Sequence, residues 1–435
     1  MKHTTLKILS LFLKWIAHAT IAKYRPSIVG VTGNVGKTST KTAIARVLAA
    51  ERRVRTASKN FNNELGLPVT IIGDFKDTGG TFFWITVIAK GMWQLIRRNN
   101  TYPEMLVLEY GVDRPGDMNY LLAIARPDVG IITAIGETPV HIEFFDGPEG
   151  IAKEKSKLIA QLPSTGFAIL NVDDKHAEFF KEQTRGHVIT YGFGNNADVR
   201  ITAFGNAIRE DNENGFVSFK LNYGGSMIPV KIEGVLGKST AYAAAAAAAT
   251  GLIFGMNLLK IAEALGGFKN PPGRENVIPG IKNSVVIDDS YNASPKATEE
   301  ALATLKSIEA KRKVAVLGDM LELGRYTMEA HQKIGKLAAR SADILVTVGT
   351  RAKFIAEEAI KAGMPKRNVM AFENLNDASR ELKNLVRHGD VVLVKGSQSV
   401  RMEKITKDIM RDPLEAEKLL VRQSSVWLAK PGLYE

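Results

Sequence analysis

Residues 28–40 read IVGVTGNVGKTST, an apolar strand running into a glycine-rich turn and then into Lys-Thr-Ser. Gly30, Gly33 and Gly36 allow backbone geometry closed to other residues, which turns consecutive N–H groups onto an anion at the start of the next helix. In such a loop Lys37 reaches the β- and γ-phosphates and Thr38 ligates magnesium. The strict pattern G-x-x-x-x-G-K-[ST] asks for glycine at position 31, where this chain has Val31, so the fit is to the variant G-x-x-G-x-x-G-K-T. A lone glycine-rich loop is often only a turn. Here the strand before it and the helix-like KTAIARVLA after it favour nucleotide binding, through Gly33, Asn34, Val35, Gly36, Lys37, Thr38 and Ser39.

Composition narrows the class. At 435 residues the chain has room for two or three domains, each with its own core. Apolar residues at 45% and charged residues at 24% are those of a soluble globular protein. The absence of cysteine removes disulfides, thiolate metal sites and thiol nucleophiles together, and it suits a reducing cytoplasm. A net charge of +12 points to anionic partners. With no RNA-binding motif and no long Lys/Arg block, phosphorylated substrates or an anionic membrane fit that charge better than nucleic acid.

Along the chain, residues 1–25 carry the pattern of an amphipathic helix, with Lys7 and Lys14 on one face and Leu6, Leu9, Leu13 and Ile16 on another. It is too interrupted by charge to span a membrane. From residue 26 to 271, strand-like runs (IVGVTG, MLVLEYG, VGIITAIG, GFAILNVD) alternate with helical segments, which predicts a mostly parallel sheet wrapped by helices. Residues 198–232 alternate as an antiparallel patch and lead into an alanine-rich helix. Pro271, Pro272 and Gly273 break the chain, and 272–435 form a second α/β unit (VVIDDS, KVAVLGDM, ILVTVG, VVLVKG) with a helical tail. The expected fold is therefore α/β, a phosphate-loop domain followed by a Rossmann-like one. Sites in such sheets lie beyond the carboxyl ends of the strands. Glu109 closes one apolar run there, where a carboxylate is costly to bury without a partner, and His141 follows another.

In their order and spacing, the motifs TGNVGKTS, NFNNELGLP, LEYG, ITAIGETPVHIEFF, GIAKEKSKLI, PPGR, IDDSYNASP, VLGDMLELG and VKGSQS resemble those of the Mur ligases, and among them the D-alanyl-D-alanine-adding branch. The resemblance covers about residues 28–405 and implies an ATP-dependent, amide-forming enzyme of peptidoglycan synthesis that works through an acyl phosphate. It implies ATP and two magnesium ions as cofactors, held by Thr38, Glu109, His141 and a carbamylated lysine. Of two candidates, Lys153 and Lys155, the second has the following large apolar residues that the family shows, Leu158 and Ile159. Lys37, His141 and Lys155 then form the catalytic set. The same resemblance makes Asn60, Asn62 and Asn63 contacts to the acyl substrate or its phosphate. Arg274 falls on the nucleotide phosphates, and Asp289, Tyr291 and Asn292 on the nucleotide's sugar and base. Lys395 and Ser397, with Asp319, Glu322 and His331, fall on the face where the amine, D-Ala-D-Ala by the resemblance, enters. A hinge is expected near Pro271–Arg274.

Three departures stand out. The phosphate loop begins near residue 30, where the family places it beyond 100, after a domain that grips uridine diphosphate. Gly237-Lys238-Ser239-Thr240 lacks the His and Asn expected beside adenine. Residues 73–104 form an insertion with an apolar centre and a basic end. Its helix and the N-terminal one have the composition of interfacial helices, so either they pack over the ATPase domain or they give peripheral contact with the inner membrane face. The rival readings are a Mur-type ligase for another acid, such as a lipid-linked precursor, a poly-amino-acid or a cofactor, and a non-catalytic nucleotide-binding subunit.

Overall fold

The computed structural model describes residues 2–57, 61–75 and 79–435. Its first sheet holds β1 (Ser27–Thr32), β2 (Val54–Thr56), β3 (Met105–Glu109), β4 (Val129–Ile132), β5 (Phe167–Asn171), β6 (His187–Gly192), β7 (Val199–Ile208), β8 (Gly215–Tyr223) and β9 (Ser226–Glu233), in the order β2-β3-β1-β4-β5-β6-β7-β8-β9. Strands β2 to β7 pair in parallel through β1, and β7-β8-β9 close the sheet as an antiparallel meander. The second sheet holds β10 (Asn276–Pro279), β11 (Val285–Asp289), β12 (Arg312–Gly318), β13 (Ile344–Val348), β14 (Val369–Phe372) and β15 (Asp390–Lys395), ordered β10-β11-β15-β12-β13-β14, with only β10 antiparallel.

The helices that matter for the site are α1 (Lys2–Tyr24), α2 (Lys37–Leu48), α3 (Gly66–Ile72), α4 (Gly80–Ile96), α5 (Asp117–Leu122) and α6 (Gly147–Ala160). The alanine-rich segment forms the helix Lys238–Ile253, and its alanines from 243 to 249 are fully buried. Small side chains let it lie close against α2; a Cβ on Gly251 would already stand 3.0 Å from Val47. One core cluster therefore joins α2, that helix and the sheet, with Val29, Val31, Ile44 and Val47 at its centre. This burial fixes the loop between β1 and α2.

Two expectations change. Gly30 is not part of the phosphate loop: it lies inside β1, and its missing side chain makes room for the Tyr110 ring, which a Cβ would meet at 2.9 Å. Leu6 does not join the buried face of α1; it is 51% exposed, while Leu13, Ile16 and Ala17 are fully buried.

The crossing between sheets is tied at several points. Leu236 N–H donates to Glu275 O (3.1 Å), Val277 N–H to Gly234 O (3.0 Å), and Asn276 bridges to Val235. The carboxyl ends of β1, β3 and β4 and those of β11, β12 and β15 consequently border one cleft.

Candidate active site

Gly33 and Gly36 take φ values of 141° and 84°, and at Gly33 a Cβ would lie 2.0 Å from Thr133 Oγ1. Neither position accepts another residue without rearrangement. The loop is pinned from below: Asn34 N–H (2.7 Å) and Val35 N–H (3.1 Å) both donate to Ala134 O. Those two donors therefore do not face an anion. The donors at the start of α2 do, because no side chain caps this helix and its first amides have no partner one turn earlier. Lys37 stands there, its Nζ making a long contact of 3.4 Å to Asn34 O.

Below it sits Glu109, 3% exposed. Thr38 Oγ1 donates to its Oε2 (3.0 Å), Asn62 Nδ2 to its Oε1 (3.2 Å), and Lys41 Nζ lies 3.6 Å from Oε2. Burial alone would raise its pKa, but Lys41, Lys37 and Arg274 together hold it below the usual carboxylate range. The lysines respond inversely: burial lowers Lys37 and Lys41, Glu109 offsets part of that, and Arg274 adds to it. Lys41 was not singled out in the sequence, although it lies four residues after Lys37 and so on the same helical face.

Arg274 crosses from the second unit. Its Nη2 donates to Thr38 Oγ1 at 2.9 Å, its guanidinium lies 4.2 Å from the Tyr291 ring centre, and its buried Nε has no partner among the described residues. An unpaired donor beside an open helix N-terminus suits an anion.

His141, at φ 67°, begins the short turn Ile142–Phe144. Its Nε2 lies 3.2 Å from Asp113 Oδ1 and its Nδ1 3.0 Å from Glu322 Oε2, so one imidazole links a loop of the first unit to the second. The His141 hydrogen bond lowers the Glu322 pKa against the effect of burial. Asp113 is another residue the sequence reading passed over; it lies four positions past Glu109. Lys155, on α6, is 2% exposed and lines the same cleft, whereas Lys153 is solvent-exposed. Burial, with Lys37 adding repulsion, lowers the Lys155 amine to about 7.

These groups line one cleft of about 320 Å³: Asn34, Gly36, Lys37, Thr38, Asn62, Glu109, His141 and Lys155 from the first unit, and Arg274, Tyr291, Asn292 and Ser397 from the second. An adjoining cavity contains Val35, Ser39, Asp289 and Lys395, and shares Asn34, Gly36, Arg274, Tyr291 and Asn292. Lys395 thus lies beside the phosphate loop. It pairs with Asp289 at 2.5 Å, and the two are opposite each other in the β11–β15 register. Asn63 spends its side-chain oxygen on the N–H groups of Leu65 and Gly66 at the start of α3. Asn60 lies outside the described residues. Ser397 Oγ accepts from Leu321 N–H (2.9 Å). His331 is at neither surface nor cleft: it is fully buried, its Nε2 accepting from Met320 N–H (3.1 Å) while Nδ1–H donates to Thr327 O (2.6 Å). Asp319, also buried, accepts from Arg351 N–H (3.0 Å), Ala352 N–H (2.7 Å) and Tyr434 Oη (2.5 Å), which orders the loop after β13.

Among the described residues no three His, Asp or Glu side chains are arranged so that they could hold a metal ion by themselves; Asp113 and Glu322 meet opposite nitrogens of His141. Thr38 and Glu109 nevertheless offer adjacent hard oxygens at an open helix N-terminus. Magnesium favours this kind of site, since it is held by one or two protein oxygens and completes its shell with phosphates and water.

Comparison with known proteins agrees. Residues 31–251 match the Mur ligase middle domain and residues 273–398 the Mur ligase, glutamate ligase domain. Fold and matches together are those of an ATP-dependent ligase. The chain is 31% identical over 405 residues to the UDP-N-acetylmuramoyl-tripeptide--D-alanyl-D-alanine ligase of Bacillus subtilis (strain 168), covering 92% of this chain and 80% of that protein. The enzyme of the same name from Treponema pallidum (strain Nichols) is 30% identical over 379 residues, covering 87% and 73%. Among solved structures, MurF from Acinetobacter baumannii superposes with a TM-score of 0.76 at 25% identity, over 93% of this chain and 81% of that one. MurF from Thermotoga maritima in complex with ADP gives 0.74 at 25%, over 94% and 84%. The chain belongs to the Mur ligase family.

Proposed function

We propose that this ligase joins the carboxylate of a UDP-muramoyl-tripeptide-like acid to the amine of D-Ala-D-Ala in the cytoplasm, as a step of peptidoglycan precursor synthesis. The observation that carries this reading is the convergence of Lys37, Thr38, Glu109, His141 and Lys155 with Arg274 and Ser397 in one cleft between the two units. The names of the relatives supply the substrates. The carboxylate oxygen attacks the γ-phosphorus of ATP and displaces ADP, leaving an acyl phosphate. The amine then attacks the acyl carbon, loses a proton, and the tetrahedral adduct expels phosphate to leave the amide.

In this reading the free amides of α2 and the Lys37 ammonium hold the β- and γ-phosphates, and Arg274 neutralises them from the opposite wall. Thr38 and Glu109 would hold one magnesium ion, and His141 with a carbamate on Lys155 would hold a second. Bound there, magnesium cancels the repulsion between triphosphate and incoming carboxylate. Asn62 and Ser397 are placed for the acid and the amine, and Asp289 with Lys395 stiffens the wall beside the nucleotide. The test is phosphate release from ATP and magnesium across muramoyl peptides and amines. Release that requires both a UDP-muramoyl tripeptide and D-Ala-D-Ala is expected; equal release with other acids or amines would remove the substrate assignment.

Domain closure is a second expectation. Besides Arg274 to Thr38 and His141 to Glu322, the units meet through exposed pairs such as Lys333–Glu137 and Arg411–Glu213 and through Leu236 in the second unit's core, mostly polar contacts of the kind that leaves domain motion open. Small-angle scattering should show a smaller radius of gyration with nucleotide and acyl substrate bound than without. Superimposable profiles would count against closure at the Pro271–Arg274 crossing.

A further inference from the structure

Helices α1 and α4 each carry two apolar stripes, and the fold buries one of each. The inner stripes, Leu13 and Ile16 on α1 and Val87 on α4, meet Val69 and Ile72 of α3 in a common core. The two helices run parallel, with their C-terminal ends joined: Lys23 Nζ donates to Gln94 O and Leu95 O (both 2.9 Å), and Tyr24 Oη to Gln94 O (3.0 Å). Because the inner stripes share that core, the outer ones look away from the body of the protein.

Those outer stripes are large. On α1, Ile8, Leu11, Phe12 and Trp15 are 63%, 55%, 40% and 53% exposed; on α4, Phe82, Ile85, Trp93 and Ile96 are 82%, 57%, 59% and 76% exposed. The α4 residues recur at i, i+3, i+11 and i+14, a single helical face. Their charge is one-sided. Residues 2–25 and 79–103 contain Lys and Arg but not one Asp or Glu, and Lys7, Arg25, Arg97 and Arg98 are exposed. Arg25, Arg97 and Arg98 follow the joined C-terminal ends and so gather at one end of the pair. Among the described residues no helix is long and apolar enough to cross a membrane. The groove beside Leu6 and Lys7 does carry Glu64, Asp113 and Asp117, but the two helices bring only cations to the face. An aromatic-bearing apolar face whose own helices are purely cationic complements the headgroup–acyl boundary of an anionic bilayer, where rings and aliphatic chains enter and cations meet phosphates.

We propose that the α1–α4 face docks this protein, peripherally, on an anionic lipid surface. The face adjoins the site: Leu6, Lys7, Ser10 and Leu11 of α1 wall a groove of about 920 Å³ that also includes Gly111 and Asp113, both of which line the catalytic cleft. Docking therefore places one approach to that cleft at the bilayer.

The test is co-sedimentation of the full chain with vesicles of phosphatidylglycerol and phosphatidylcholine, compared with phosphatidylcholine alone, at low and high salt. Binding to the anionic vesicles at low salt, with tryptophan fluorescence moving to shorter wavelength, is expected. The triple change Phe82→Ser, Trp93→Ser, Ile96→Ser and the charge change Arg97→Glu, Arg98→Glu should each weaken it roughly tenfold or more. The charge change lies in exposed positions, so it tests the proposal even if the triple change disturbs folding; melting temperature and ATP turnover should stay unchanged in it. A chain that remains in the supernatant with anionic vesicles at low salt overturns the proposal, as does binding indifferent to both variants. A concentration-dependent dimer abolished by the triple change, without vesicle binding, would assign the face to a second copy instead.

Discussion

Lys37→Ala is expected to lower ATP turnover by roughly 10³-fold or more, the scale on which a cation lost from a phosphoryl-transfer site is felt. It should leave the melting temperature unchanged or slightly higher. The asymmetry follows from where the side chain sits. Its ammonium makes only a 3.4 Å contact with Asn34 O, and burial together with Arg274 disfavours its charge. Glu109 keeps Lys41 and Arg274 when Lys37 is gone, so no buried carboxylate is left unpaired. A transferring phosphoryl group has no substitute for an ammonium at the N-terminus of α2. Turnover measured by phosphate release, with melting followed by circular dichroism, decides it. Retained turnover would remove the phosphate-loop reading, and a large drop in melting temperature would make Lys37 a structural residue.

The parts of the site that are contiguous in the chain are the parts legible in it. Residues 33–39 carry their own geometry, because two glycines, a lysine and a threonine at fixed offsets can do little else between a buried strand and a helix. Glu109 was readable for a different reason: a carboxylate closing an apolar run must have partners. What was not readable depends on pairing over distance. Lys395 looks like a surface or substrate lysine until β15 is laid beside β11 and Asp289 comes opposite it. Lys41 resembles any solvated helical lysine, and only the position of β3 puts Glu109 3.6 Å away. His331 carries no sequence mark of its burial, which comes from a turn of backbone that folds over it.

The fold shows the same division. Strands with unbroken apolar runs, β1, β3, β4, β5, β11, β12, β13 and β15, announce themselves, as central parallel strands do. The three-residue β2, the half-exposed β6 and the edge strands β10 and β14 do not, since their sequences serve an edge or a rim more than a core. Helices α1 and α4 show the limit from the other side. An apolar face reads identically whether it is buried or bare, and only packing shows that each helix has one face of each kind.

Lys155 offers the other large effect, because one amine there governs both stability and activity. In the fold its pKa falls from 10.5 to about 7, through burial first and Lys37 second. Between those values the unfolded chain binds a proton that the folded chain does not, so stability rises with pH across that window, and the penalty is fully present below about 7. Lys155→Met removes the penalty, and its melting temperature at pH 6.5 should equal or exceed that of the parent. Its turnover should fall by roughly 10²-fold or more, the cost of losing an electrostatic group from a phosphoryl-transfer centre. The neutral amine is also the form that adds carbon dioxide. Parent enzyme depleted of carbon dioxide below pH 7 should therefore lose activity and regain it slowly on adding bicarbonate, and Lys155→Ala should regain part of its turnover with formate or acetate. Turnover indifferent to bicarbonate, together with no rescue by short carboxylates, would leave Lys155 as a buried amine without a carbamate and pass the role to another oxygen ligand in the cleft.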